Sequence, residues 1–211
     1  MNTTRRTAGL GLLAYGIGTP AAFIASGSPG GEYRDAAVVN YMSTGHAATA
    51  IASAYVGAFA AIGLLLFARS MRREVGPGGD LVSGLAVAGA AAAVIGWFLV
   101  GGVAVAFAEA GQDLVSTPHP VVHLLTEMSN LVAVCASAFF AGAVALVVAR
   151  QASLPGWLRT ATYVGGVCGL LAAFYFPLFL FWIWAIVFGL REITVASRAT
   201  AAVGQPLPAA G

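Results

Sequence analysis

Charged residues are scarce in this chain. They make up 9% of its 211 residues, whereas hydrophobic residues make up 59%, and a soluble globular domain carries roughly 25% charged residues. Because so few charges cannot cover an ordinary soluble core, we expect lipid to be the main solvent and the lipid bilayer to be a partner. The composition predicts an all-α, polytopic bundle of transmembrane helices, a single domain over residues 1–198. We expect the Ala-, Gly- and Pro-rich tail, 199–211, to be disordered.

Lysine is missing altogether, and all ten basic residues are arginines. Without a lysine amine there is no protein Schiff base, which excludes a retinal pigment and a pyridoxal-dependent enzyme. The formal net charge is only +2, and no basic run or RNA-binding motif occurs. We therefore predict no nucleic-acid partner.

Cysteine and familiar motifs are scarce as well. Cys135 and Cys168 fall inside apolar segments without a CxxC pattern, so we interpret them as small buried hydrophobes rather than as a disulfide. No Walker A, GxSxG or HExxH motif occurs. These absences exclude the usual soluble-enzyme classes, and our first expectation is a protein without a cofactor.

Long apolar segments, by contrast, are abundant. A spanning helix needs about 20 mostly apolar residues. Four segments meet that requirement: Ala8–Ser26, Gly45–Ala68, Leu81–Ala108 and Val121–Ala149. The fifth apolar stretch, Thr160–Leu190, is long for one helix and short for two, with Pro177 in its middle.

Arginine placement decides how this last stretch is interpreted, because cytoplasmic flanks collect basic residues. Arginines precede the first span, separate the second from the third and follow the fourth, so we place the amino terminus inside. Arg191 and Arg198 lie inside only if the last stretch crosses twice, as Pro155–Ala172 and Pro177–Val195. Proline suits the first turn of a helix, so Pro177 can open the second crossing. We predict six spans; five spans with a kinked last helix are the alternative.

Small residues indicate where the helices meet. Gly84, Ala88 and Ala92 repeat every four positions, and so do Gly165 and Gly169. Such ridges let helices approach closely inside a membrane. We expect helix contacts along both.

Under this orientation the polar residues gather at the outer end of the bundle. They lie at the outer ends of the spans or in the adjoining loops: Tyr41, His46, Glu109, Asp113, His123, Glu127 and Asn130. In the segment "HPVVHLLTEMSN", positions 119, 123, 127 and 130 fall within about 80° of one another around a helix. A shared face of this kind predicts one wall of an outward-facing polar pocket.

The depth of Glu127 strengthens that interpretation. If the hydrocarbon begins near Val121, Glu127 lies roughly 9 Å deep. A carboxylate there is costly unless it faces the bundle interior or a wet cavity. The alternative is that these residues only start the helix and bond to neighbouring helices.

Aromatic residues crowd the segment "FYFPLFLFWIW", residues 174–184. Aromatic faces can line a cavity and stabilise a cation, which makes Tyr175, Phe179 and Trp182 candidate substrate-binding residues. His46 and Tyr41, from the polar residues at the same end, complete the candidate substrate-binding set. An aromatic belt at the outer membrane interface is the alternative explanation.

Several segments carry a resemblance to a known kind of protein. They are "DAAVVNYMSTGH", "LLLFARSMRRE", "ARQASLPGWLRT" and "WIWAIVFGLRE". The layout resembles the uncharacterised small integral-membrane proteins common in high-GC Gram-positive bacteria, which implies a multi-pass protein of the bacterial cytoplasmic membrane. In size, hydropathy and isolated intramembrane carboxylates the chain is also similar to the small membrane terpene cyclases of indole-terpenoid pathways.

The most specific functional hypothesis is an enzyme, a membrane-embedded cyclase or isomerase acting on a prenylated or other lipid-like small molecule. Such chemistry needs a desolvated acid and a cavity that stabilises a cation. Glu127 is the candidate acid, and His123 and Asn130 would orient it. Glu109 or Asp113 would supply a second carboxylate.

Two further hypotheses remain. His119 and His123 lie four residues apart, and His46 could join them in a zinc or haem site. A non-catalytic accessory or ligand-binding protein with a wet outer vestibule is the other. We expect no charge in the cytoplasmic halves of the spans, which argues against an ion channel or a proton-driven transporter.

Overall fold

The structure is a computed structural model that describes residues 2–27, 46–110 and 119–203. The described chain is 95% helical and contains no strand, so the all-α prediction is confirmed. Its α-helices are α1 (Asn2–Ala25), α2 (Ala47–Val75), α3 (Gly79–Ala110), α4 (His119–Asn130), α5 (Ser137–Gln151), α6 (Gly156–Leu170) and α7 (Phe176–Val203). A π-helical segment, Leu131–Ala136, joins α4 to α5.

Four helical stretches are long and apolar enough to cross a membrane: Thr3–Ala25, Ala47–Glu109, Pro120–Gln151 and Phe176–Ala199. The chain is therefore built like a membrane protein. The second stretch has 63 residues, which at 1.5 Å per residue is about 95 Å and three times the thickness of a hydrocarbon core. It is divided into α2 and α3 by a 3-10 turn, Gly76–Gly78.

The turn between α2 and α3 follows from its sequence. Gly76 has a φ of 65°, a conformation that glycine adopts at little cost and that ends a helix. Pro77 follows and stands at the start of the 3-10 turn. The two helices then run antiparallel, because the ring of Tyr55 contacts that of Phe98 and Leu64 lies beside Gly89.

Close glycine contacts join two further pairs of antiparallel helices, α1 with α2 and α5 with α6. A Cβ added to Gly11 on α1 would lie 2.5 Å from the carbonyl oxygen of Gly63 on α2, and one added to Gly169 on α6 would lie 2.7 Å from Gly142 Cα on α5. Backbones this close exclude any side chain. The expected contact ridge at Gly165 and Gly169 is confirmed, since both face neighbouring helices.

The prediction of helix contacts along Gly84, Ala88 and Ala92 is wrong for Gly84. Nothing lies within 4 Å of a Cβ added to Gly84. A spacing of four residues identifies a face of a helix, but it does not say whether another helix or lipid covers it.

The stretch predicted to cross twice is folded back on itself. Trp184 Nε1 on α7 donates a hydrogen bond to Thr162 Oγ1 on α6 at 3.2 Å, so α6 and α7 form a hairpin rather than one kinked helix. Pro177 stands in the first turn of α7, as predicted. With 15 residues, α6 is about 22 Å long, shorter than a hydrocarbon core of about 30 Å.

The last helix extends beyond its predicted end. It continues to Val203 and so includes the first residues of the tail for which we expected disorder. The rest of that tail lies outside the described residues.

The antiparallel arrangement brings all the described arginines to one end of the bundle, which we call the inner end: Arg5, Arg6, Arg69, Arg72, Arg73, Arg150, Arg159, Arg191 and Arg198. The opposite, outer end carries the start of α4 and the connection between α6 and α7. Large apolar side chains stay exposed around the bundle, including Ile24 at 78% and Phe59 at 66%. Such a surface suits lipid rather than water.

Candidate functional site

The polar face of α4 and the aromatic segment meet at the outer end. The hydroxyl of Tyr175 donates a hydrogen bond to Glu127 Oε2 at 2.8 Å, and both side chains are partly buried. The residues are 48 positions apart in the sequence. This contact joins the two features that the sequence analysis singled out separately.

The connection that presents Tyr175 is tight and strained. A 3-10 turn, Ala172–Phe174, ends in a hydrogen bond from Tyr175 N–H to the carbonyl oxygen of Ala172 at 2.9 Å. Tyr175 itself has a φ of 58°, and it is the only non-glycine residue with a positive φ in the described chain. A conformation of this kind costs on the order of 1–3 kcal/mol and persists where surrounding contacts impose it. Here it directs the phenol toward α4.

A second contact fixes the turn against the neighbouring helix. The thiol of Cys135, in the π-helical segment, donates to the carbonyl oxygen of Ala172 at 3.4 Å. Cys135 is buried and Cys168 partly buried, and both are free thiols, as predicted. The π-helical segment therefore supports the turn that carries Tyr175, and π-helical turns are frequent at functional sites.

The protonation state of Tyr175 suits a hydrogen-bond donor. Burial, and then the hydrogen bond and negative charge of Glu127, raise the pKa of Tyr175 above its ordinary value. The phenol therefore stays protonated throughout the physiological range, and its O–H donates a hydrogen bond to Glu127.

The hydroxyls beside Glu127 bond within their own helix. Thr126 Oγ1 donates to the carbonyl oxygen of His123 at 2.9 Å, and Ser129 Oγ donates to that of Thr126 at 2.8 Å. Asn130 is buried, with 1% of its surface exposed.

The remaining predicted residues are only partly brought to this site. His123 lies one turn before Glu127 and is half-buried. His46 precedes α2 and lies 3.7 Å from the position of a Cβ on Gly27, at the end of α1. Glu109 is exposed near the end of α3, and no hydrogen bond or ion pair between described residues joins it to Glu127. Tyr41, Asp113 and the side chain of His119 lie outside the described residues.

The aromatic segment contains one set of rings exposed at the surface of the bundle and a second set buried in its core. Phe174, Phe176 and Phe179 are exposed at 74%, 73% and 53%, whereas Phe181, Trp182 and Trp184 are buried. Phe179 meets Trp182 edge to face, with ring centroids 5.5 Å apart. The first set is placed as in an interfacial aromatic belt, and the second packs in the core.

The buried Trp182 carries a polar group that the described protein does not satisfy. Its indole N–H has no hydrogen-bond partner among the described residues, and neither has the indole N–H of Trp97. Buried donors in folded proteins are nearly always bonded to protein, water or ligand. Trp182 stands on α7, seven residues after Tyr175, which lies in the turn that precedes this helix.

A buried carboxylate that was not predicted lies at the inner end. Glu192 is 2% exposed and pairs with Arg191. Its Oε2 has no hydrogen-bond partner among the described residues. The expectation that the cytoplasmic halves of the predicted spans hold no charge is therefore wrong for the predicted span Pro177–Val195, which contains this pair. An adjacent arginine makes such burial tolerable, because it offsets the charge and its long side chain reaches toward water.

A metal centre finds no support in this part of the chain. No group of three or more His, Cys, Asp or Glu side chains is placed to hold a metal ion among the described residues. His46 and His123 are half-buried at the outer ends of different helices.

The chain was compared with protein families, characterised proteins and solved structures. No family model matches it, and neither does any curated protein or solved structure. Its function is therefore inferred from the geometry of the described residues.

Proposed function

We propose that the chain is a six-span protein of the bacterial cytoplasmic membrane with its amino terminus inside. The clustering of the described arginines at the inner end supports this orientation, since cytoplasmic flanks are rich in arginine. The fold-back between α2 and α3 and the α6–α7 hairpin support six passes rather than four. The short α6 crosses with help from local thinning of the bilayer.

Single cysteines test this topology. In a background with Cys135 and Cys168 replaced by serine, Ala173→Cys places a thiol in the α6–α7 turn, and Thr160→Cys places one at the start of α6; both positions are exposed. A membrane-impermeant maleimide should label Ala173→Cys in intact cells and Thr160→Cys only after permeabilisation. Labelling of both from the same side would overturn the six-span proposal, and the reversed pattern would overturn the orientation.

At its outer end this protein binds a lipid-like small molecule with a hydrogen-bonding head. The observation that carries this proposal is the hydrogen bond between Tyr175 and Glu127, a polar pair held by a strained turn amid apolar helices. Strain retained at such a position is typical of functional sites. The indole N–H of Trp182, about two turns into α7, has no partner among the described residues and supports a ligand that extends inward.

Mass spectrometry of the organic extract tests ligand binding. Protein purified gently from its own membrane should carry an apolar molecule near one-to-one stoichiometry. Tyr175→Phe removes one hydroxyl and should reduce affinity about tenfold, the equivalent of one hydrogen bond. The matched control is Tyr163→Phe, which removes the hydroxyl of an exposed tyrosine on α6. Equal retention in both variants, or an extract without such a molecule, would contradict the proposal.

An acid-initiated cyclase or isomerase is the second candidate function. The observation that favours it is the placement of the Glu127 carboxyl group beside a phenol and next to apolar helices. Glu127 would give its proton to an alkene or epoxide of the substrate, and a new ring bond would form on the resulting cation. Loss of a proton from the cation to the same carboxylate would restore the acid, so the product is an isomer of the substrate.

Glu127→Gln separates the two functions. An amide keeps the shape and hydrogen bonds of the carboxyl group but cannot supply the proton. If the protein is an enzyme, the variant should retain the bound molecule in its unreacted form, whereas wild type should yield the cyclised isomer. The same molecule with the same structure in both proteins would leave binding alone as the function.

A further inference from the structure

A cavity lies at the inner end, far along the bundle from Glu127. It has a volume of about 870 Å³ and is bordered by the start of α1, the end of α2 and the turn after α2. Ligand cavities in proteins typically measure about 300–1,000 Å³. Its size is therefore suited to a small molecule or a lipid headgroup.

The lining of this cavity is predominantly basic. Arg69, Arg72 and Arg73 of α2 contribute three guanidinium groups, and Asp80 is the acidic residue that borders it. Arg72 is paired with Asp80, with N···O 2.7 Å. No ion pair among the described residues involves Arg69 or Arg73. These two cations are exposed to the cavity's solvent, and they keep an uncompensated positive charge there.

Hydroxyl groups and a helix end face the same space. Thr3, Thr4 and Thr7 border the cavity from the first two turns of α1. The first-turn N–H groups of a helix have no partner within the helix, and they make that end attractive to anions. Guanidinium, hydroxyl and N–H donors together form the set that proteins use to bind phosphate.

One apolar residue extends the lining of the cavity toward the apolar surface of the bundle. Leu66, one turn of α2 deeper than Arg69 and Ser70, also lines it and is 40% exposed. A polar space that grades into lipid-facing apolar surface matches a phospholipid, whose phosphate lies at the interface with its chains below.

From this arrangement we infer that the inner-end cavity is a binding site for a phosphate group, carried by an anionic lipid or free in solution, with Arg69 and Arg73 as its principal ligands. Positive charge at a cytoplasmic face is common without any bound ligand. What distinguishes this site is that unpaired arginines, hydroxyls and a helix amino terminus converge on one cavity.

Native mass spectrometry of the full chain in neutral detergent tests this inference. The probes are short-chain phosphatidylglycerol, short-chain phosphatidylcholine and inorganic phosphate. Arg69→Gln/Arg73→Gln removes the proposed ligands. The matched control is Arg150→Gln/Arg159→Gln, which removes the same charge from exposed positions at the same end but outside the cavity.

We expect one phosphatidylglycerol per chain in wild type and in the control, with little phosphatidylcholine. Affinity should fall about thirtyfold in Arg69→Gln/Arg73→Gln, at about 1 kcal/mol for each arginine. Displacement by inorganic phosphate would support free phosphate as the ligand, and resistance to it would support the lipid. Equal loss in both double variants, or no one-to-one complex with any probe, would overturn the inference. Matching melting temperatures of the two variants without ligand would exclude misfolding as the cause.

Discussion

The polar pair at the outer end and the cavity at the inner end differ in how solvent reaches their polar groups. At the outer end Glu127 of α4 and Tyr175 of the α6–α7 turn are partly buried and joined by one hydrogen bond, and Cys135 of the π-helical segment bonds to the same turn. At the inner end Arg72 and Asp80 are 59% and 85% exposed and lie beside an open cavity. Burial makes the outer hydrogen bond costly to break and sensitive to geometry. Solvent screens the charges around the inner cavity, so each of them contributes little alone and several act together. We therefore expect single substitutions to matter more at the outer pair than at the charges around the inner cavity.

The largest effect should come from filling a glycine contact. A Cβ on Gly169 would lie 2.7 Å from Gly142 Cα and 2.8 Å from the carbonyl oxygen of Ala138. Gly169→Ala must therefore push α5 and α6 apart, and it should lower the free energy of unfolding by about 2–3 kcal/mol. Gly84→Ala, near the inner end, meets nothing and should cause no loss. Unfolding by a denaturing detergent in mixed micelles measures both; similar losses would show that the close contact at Gly169 is not formed.

A smaller effect should follow loss of the buried hydrogen bond. Tyr175→Phe should lower the free energy of unfolding by about 1 kcal/mol, the usual range for hydrogen bonds between membrane helices. Tyr163→Phe, which loses an exposed hydroxyl, should change it by less. The same unfolding titration compares the two, and an unchanged stability in Tyr175→Phe would show that the contact contributes nothing to the fold.

The smallest effect should be at the exposed ion pair. Asp80→Asn removes the partner of Arg72 and should change the free energy of unfolding by about 0.5 kcal/mol or less. It also removes the carboxylate that borders the inner cavity, so phosphatidylglycerol should bind more tightly to this variant than to wild type. A large loss of stability would refute the distinction between the two ends.

The course of the helices could be predicted from the sequence because it depends on local properties. Long apolar runs, a glycine and a proline mark where α2 and α3 begin and end, and Pro177 marks the start of α7. The polar face with Glu127 could be predicted in the same way, since its residues share one helix. These features need no knowledge of how distant segments pack.

The contact between Glu127 and Tyr175 was not predictable, because it depends on how α6 and α7 fold back and on the unusual backbone of Tyr175. Hydropathy gives the crowding of aromatics but not which rings face lipid, as Phe179 and Trp182 illustrate. Glu192 was missed because a charge near the end of an apolar run is typical of an interfacial residue. Only the packing of α7 against its neighbours reveals that it is buried.

The π-helical segment Leu131–Ala136 has a consequence for how such a protein can change over evolutionary time. A π-helical turn accommodates one extra residue, so the helix before it is turned relative to the helix after it. Deleting a residue there would rotate Glu127 and Asn130 by about 100° with respect to Gly142. The orientation of the outer polar groups can thus be altered by one insertion or deletion while the glycine contact between α5 and α6 keeps its alignment. The direction of these polar side chains and the packing of α5 against α6 are thus separately adjustable along one helical stretch.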